Sequence, residues 1–112
     1  MIGKHYSLND YNCAHFVADW YRDKLNIEIP VTDEFGLSFL RWMRKHFVKV
    51  DKPVTNDLVY MHSNNTAHIG VYADYGVYHN HKAGKAKGSV VHWDIGVINR
   101  NYDKVTFWKW LQ

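Results

Sequence analysis

The chain has 112 residues, one cysteine, eight histidines, 46% hydrophobic and 22% charged residues, and a formal net charge of +3. That length suits one core, so residues 1–112 are expected to form a single domain. No run approaches the roughly 20 apolar residues of a membrane helix, one cysteine excludes an internal disulfide, and the mild positive charge favours anionic partners without choosing their class.

In chain order, the opening MIGKHYSLNDYNC has no apolar core of signal-peptide type. Synthesis in the cytoplasm is therefore expected, with any work outside the cell depending on another route. From Asn12 to about Leu25, Cys13, Phe16, Val17 and Trp20 recur at helical spacing behind Asn12 as a cap. NIEIPVTD is a connection. Phe35, Phe39, Trp42, Met43 and Phe47 then repeat as a second helix behind Thr32 or Asp33.

After Pro53 the period changes. DLVYMH, AHIGVYAD, GVYHNH, GSVVHWDI and KVTFWKW are short, β-branched and aromatic, and separated by turn residues. Five strands this close together pair largely antiparallel, as in a meander, because helical crossovers do not fit between them. The expected class is α+β, with two N-terminal helices packed on a C-terminal antiparallel sheet of about five strands. There is no internal repeat, low-complexity segment or linker.

Cys13 falls in the first turn of the first helix, where unpaired amides and the helix dipole favour a thiolate, the nucleophilic form. An alkylating reagent is then expected to label it below its ordinary titration range. The base must come from elsewhere in the fold. In AHIGVY the period of two puts Ile69, Val71 and Ala73 on one face and His68, Gly70 and Tyr72 on the other, with Gly70 leaving space beside His68 for a substrate or the cysteine. After the turn ADYG the next strand reaches His79, which a hairpin of this length brings across the ladder to orient His68.

These segments resemble the NlpC-type cell-wall cysteine peptidases, compact papain-like enzymes of bacteria and of phage tails and lysins. YNCAHFVADWY looks like the family's Asp-Cys-Ser-Gly-Leu-Val helix start, TNDLVYM like its Gly-Asp-Leu-Val strand, and HIGVYADYGVYH like its His-Val-Gly-Ile-Tyr hairpin ending in a second histidine. The resemblance implies Cys13 as nucleophile, His68 as general base and then acid, and His79 as the group that orients it. Tyr6, in GKHY, matches the family's tyrosine upstream of the nucleophile, so Tyr6 and Asn12 are the candidates for the oxyanion and substrate side. The chain departs from the pattern where Asn12 stands for Asp, Ala14 and His15 for Ser and Gly, and Asn56 for Gly. The resemblance further implies a peptidoglycan stem-peptide substrate, no metal or organic cofactor, no nucleic-acid partner, and delivery by phage-tail or other proteins.

Three other readings are open at this level. His79, His81 and His92 could hold zinc, since alternating histidines share a strand face and imidazole suits that ion. A non-catalytic wall-binding or tail-structural protein could keep the fold and grip a polymer through the basic segments and exposed Trp93, Trp108 or Trp110. Finally, a Cys and His pair could run acyl transfer or deamidation, the acyl-enzyme being captured by an amine instead of water.

Overall fold

Each of the five segments that alternate with a period of two is a strand in the computed structural model, which describes residues 5–6, 13–29, 37–64, 66–81 and 88–111. In chain order the described elements are β1 (His5–Tyr6), α1 (Cys13–Leu25), α2 (Leu37–His46), β2 (Phe47–Val50), β3 (Leu58–Ser63), β4 (Thr66–Ala73), β5 (Gly76–His81), β6 (Gly88–Asp94), α3 (Ile95–Asn101) and β7 (Lys104–Trp110). The proposed caps Asn12, Thr32 and Asp33, and the basic run KAGKAK, lie outside the described residues.

The strands form one antiparallel sheet in the order β1-β6-β5-β4-β3-β7-β2. Its centre, β3 to β6, is the expected meander. The α+β class therefore stands, with two corrections. Among the described residues the sheet has seven strands, because two short ones add to its edges. Phe47, expected as the last turn of the second helix, instead opens β2 opposite Trp110. The helix ends at His46 after the basic turn Arg44, Lys45 and His46, and Phe47-Val48-Lys49-Val50 then follows the strand rule that β7 rewards with a ladder.

The second correction is α3, a helix inserted between β6 and β7. Asp94, expected inside a strand, is its N-cap and accepts a hydrogen bond from the Val97 amide at 2.9 Å. The helices are thus not all N-terminal.

Strand alternation divides the core in two. Leu58, Ile69, Val71, Ala73 and Val90 face α1 and α2, where they bury Cys13, Phe16, Val17, Trp20, Tyr21, Phe39 and Met43. Val59, Met61 and Val77 face the other way and pack with Ile98 of α3, bordered by Tyr72, Trp93, Tyr102 and Val105. Removing a fully buried ring such as Phe16 would cost ~3–5 kcal/mol in lost transfer energy and cavity formation.

The contact between α1 and the entry to β3 rests on Asn56, which has φ 79°. This left-handed conformation explains why the resembled motif carries glycine there; asparagine tolerates it and adds an acceptor. Its Oδ1 accepts from Trp20 Nε1 at 3.0 Å, and its carbonyl accepts from the Tyr21 hydroxyl. Asp57 completes the loop by accepting from the Val54 amide at 2.9 Å, while the Asp57 amide donates to the Val54 carbonyl at 3.0 Å.

Candidate active site

Cys13 is the first residue of α1 and is only 8% exposed. Burial pushes its thiol up to about 12, while the amides of Ile69, Ala14 and Cys13 itself pull in the opposite direction. The helix start therefore acts as the sequence suggests, but desolvation outweighs it. The resting sulfur is a neutral thiol, and the expectation of easy alkylation at low pH is corrected.

The Ile69 amide can serve the sulfur because the β4–β5 ladder ends at the pair Gly70↔His79. One residue further along β4 the hairpin has opened, and Ile69 is directly followed upstream by His68. Backbone connectivity alone thus ties the thiol's neighbour to the expected base.

His68 and His79 meet as anticipated. Nε2 of His68 lies 3.0 Å from Nδ1 of His79, with the rings 79° apart. This contact commits Nε2 and makes Nδ1 the other ring nitrogen of His68. Burial, then the charge of His81, holds His68 down to about 4. His79 is fully buried and is held down to about 3 by burial first and by His68, His81 and His92 after it. Both imidazoles are neutral at pH 7, which is the form a base needs.

Gly70 has a different role from the one expected. A Cβ there would stand 2.6 Å from the Tyr78 carbonyl, 2.8 Å from Val77 Cγ1 and 2.9 Å from His79 Cβ. The space beside Gly70 is therefore filled by β5 rather than open to a substrate. Glycine lets the two strands close far enough for His79 to reach His68.

Tyr102 joins the site without a signal in the sequence. Its ring is nearly parallel to His68, at 13° and 6.1 Å between centroids. Burial, then Cys13, raises its hydroxyl above the usual range. Tyr102 is the C-cap of α3, so without that helix nothing in NRNYDK points to it. The oxyanion roles expected of Tyr6 and Asn12 fall outside the described side chains; Tyr6 contributes backbone to β1.

Strand facing separates the three histidines of the zinc reading. His79 and His81 share a face with Trp93, whereas His92 packs on Tyr78 at 4.4 Å and lies 3.0 Å from the Ala73 carbonyl through Nε2. Among the described residues no three His, Cys, Asp or Glu are grouped to hold a metal ion. The tryptophans of the polymer-binding reading are partly buried against the two cores. No described helix is long and apolar enough to cross a membrane.

A cysteine-headed helix layered on an antiparallel sheet with a histidine pair at its opened hairpin is the architecture of a papain-like domain. The NlpC/P60 family model matches residues 3–109, and the chain belongs to that family, whose members are generally cell-wall cysteine peptidases and amidases. No curated protein and no solved structure matches the chain. The family match carries no indication of a phage-tail role.

Proposed function

We propose that the protein is a cysteine hydrolase that cleaves a peptide or amide bond in peptidoglycan stem peptides, with Cys13 as nucleophile, His68 as base and acid, and His79 as the group that orients His68. The observation that carries this reading is the 3.0 Å contact between His68 Nε2 and His79 Nδ1, set one residue from the strand amide that supports the Cys13 sulfur.

Because thiol and imidazole are both neutral at rest, the thiolate does not wait preformed. His68 takes the Cys13 proton as the sulfur attacks the carbonyl carbon, and the Cys13 amide at the helix start faces the developing oxyanion. The C–N bond then breaks, His68 returns the proton to the leaving amine, and a thioester remains. Water, deprotonated by His68, releases the carboxylate and restores the thiol. His79 keeps the imidazole oriented through both halves.

The test is to incubate the protein and its Cys13→Ala variant with muropeptides and identify products by mass. A new carboxylate and free amine are expected from the wild type, with the variant slower by about 10⁴-fold or more. A new amide would assign acyl transfer instead. Binding of wall fragments without any turnover would assign a non-catalytic role.

A further inference from the structure

The histidine pair contains an unresolved choice. The 3.0 Å contact needs one proton between its nitrogens, and each neutral imidazole carries one N–H. If His79 Nδ1–H donates, His68 must hold its own proton on Nδ1 and is no base at that atom. If His68 Nε2–H donates, His68 Nδ1 is bare and His79 carries its proton on Nε2. What faces His79 Nε2 decides between them.

That atom is buried without a hydrogen-bond partner among the described residues. Trp93 packs on the same imidazole ring. Val77 pairs with Trp93 and His79 with Val91, so the indole lies diagonally across His79 on the same sheet face. The two rings are 4.6 Å apart between centroids and 77° apart in plane. The indole also reaches His81 at 4.6 Å, which makes it a cover over this side of the pair. An imidazole N–H pointing at an indole face meets the negative side of the ring quadrupole, whereas a bare lone pair there is repelled.

We propose that Trp93 is a positioning residue: its indole face receives the Nε2–H of His79, fixes that tautomer, and through the His68 contact leaves His68 Nδ1 as the proton acceptor. The catalytic consequence rests on the hydrolase reading above; the tautomer does not. The same indole packs on the ring whose Nε2 is buried without a hydrogen-bond partner among the described residues.

The experiment is nitrogen-15 NMR of the histidine rings at pH 7 in the wild type, Trp93→Phe and Trp93→Leu. His79 is expected to show a protonated Nε2 and a bare Nδ1 in the wild type and in Trp93→Phe, which keeps an aromatic face. Trp93→Leu keeps an apolar cover without that face; a visible share of Nδ1–H is expected, with kcat down about 10- to 100-fold and KM little changed. A wild-type His79 protonated on Nδ1 overturns the proposal, as does a folded Trp93→Leu with an unaltered tautomer. Should Trp93→Leu not fold, the other two spectra still decide: Nε2–H in both the wild type and Trp93→Phe supports the proposal, and its absence from either overturns it. If the tautomers behave as expected but the wild type cleaves no muropeptide, the hydrolase reading fails and the tautomer lock stands.

Discussion

The β4–β5 hairpin has two ends that follow different rules. At its turn, Ala73 pairs with Gly76, Asp74 and Tyr75 carry φ of 55° and 63°, and Tyr75 is 89% exposed. Its polar groups are met locally, the Tyr78 hydroxyl donating to Asp74 Oδ2 at 2.6 Å. At the other end the ladder stops at Gly70↔His79, the next amide supports a sulfur from another element, and the half-buried His68 meets the fully buried His79. Function usually gathers at loop tips. The candidate site lies instead where a ladder opens, because a strand amide freed from the ladder and two histidine side chains become available together.

The largest break in this comparison is expected from His79→Ala. His68 Nε2 would lose the partner 3.0 Å away and its ring would lose its fixed orientation. A fall in kcat of about 10²-fold or more is expected, with KM little changed, in a muropeptide assay. An unchanged kcat would remove His79 from the proposed mechanism.

Acid should break the buried end while sparing the turn. His68 and His79 are held at about 4 and about 3, below the ordinary 6.5. The unfolded chain therefore binds protons first as pH falls. Stability from these groups is complete above pH 6.5 and declines below it, by up to about 1.4 kcal/mol per pH unit for each histidine, until the folded values are reached. Denaturant midpoints measured between pH 7 and pH 4 should show this slope, and His79→Asn should reduce it. The acid limb of kcat/KM is expected near pH 4, since only neutral His68 accepts the proton. Alkylation of Cys13 should rise only well into alkaline solution, following a thiol near 12.

Gly70→Ala tests the approach of the strands themselves. With backbone and Val77 atoms within 2.8 Å of the new Cβ, the hairpin must shift, at a cost of about 1–3 kcal/mol. Thermal unfolding would record the loss, and the His68 to His79 contact should loosen with it. Retention of both stability and kcat would show that the close approach is not needed.

The contrast between the ends also explains what could be read beforehand. The strands were legible because Leu58–Ser63, Gly76–His81 and Lys104–Trp110 alternate by the rule that buries one sheet face, and the position of Cys13 at a helix start and the meeting of His68 with His79 were legible from facing and motif. α3 was not, since Gly96 and the β-branched Val97 and Ile98 weaken a helical signal that Asp94 supplies only as a cap. Tyr102 depended on that helix and was lost with it. The charge state of Cys13 was misjudged for a different reason: helix position is local and visible in sequence, whereas the burial that outweighs it is made by β4 and the core.

The smallest effect is expected at the turn. Tyr75 lies in the left-handed region at φ 63° and is almost fully exposed, so its ring contributes little packing to set against backbone strain. A two-residue turn with both central φ positive is one where Asp-Gly is strongly favoured. Tyr75→Gly removes strain of order 1 kcal/mol, but gives the unfolded chain more freedom, worth ~0.4–1 kcal/mol in the other direction. The net change should be within about 0.5 kcal/mol, with muropeptide turnover unchanged. Five residues of extended strand, 69–73, separate this turn from His68, roughly 20 Å over six steps of strand rise. A marked loss of turnover in a normally stable Tyr75→Gly protein would mean that the turn end handles substrate, and the division between the two ends of the hairpin would have to be redrawn.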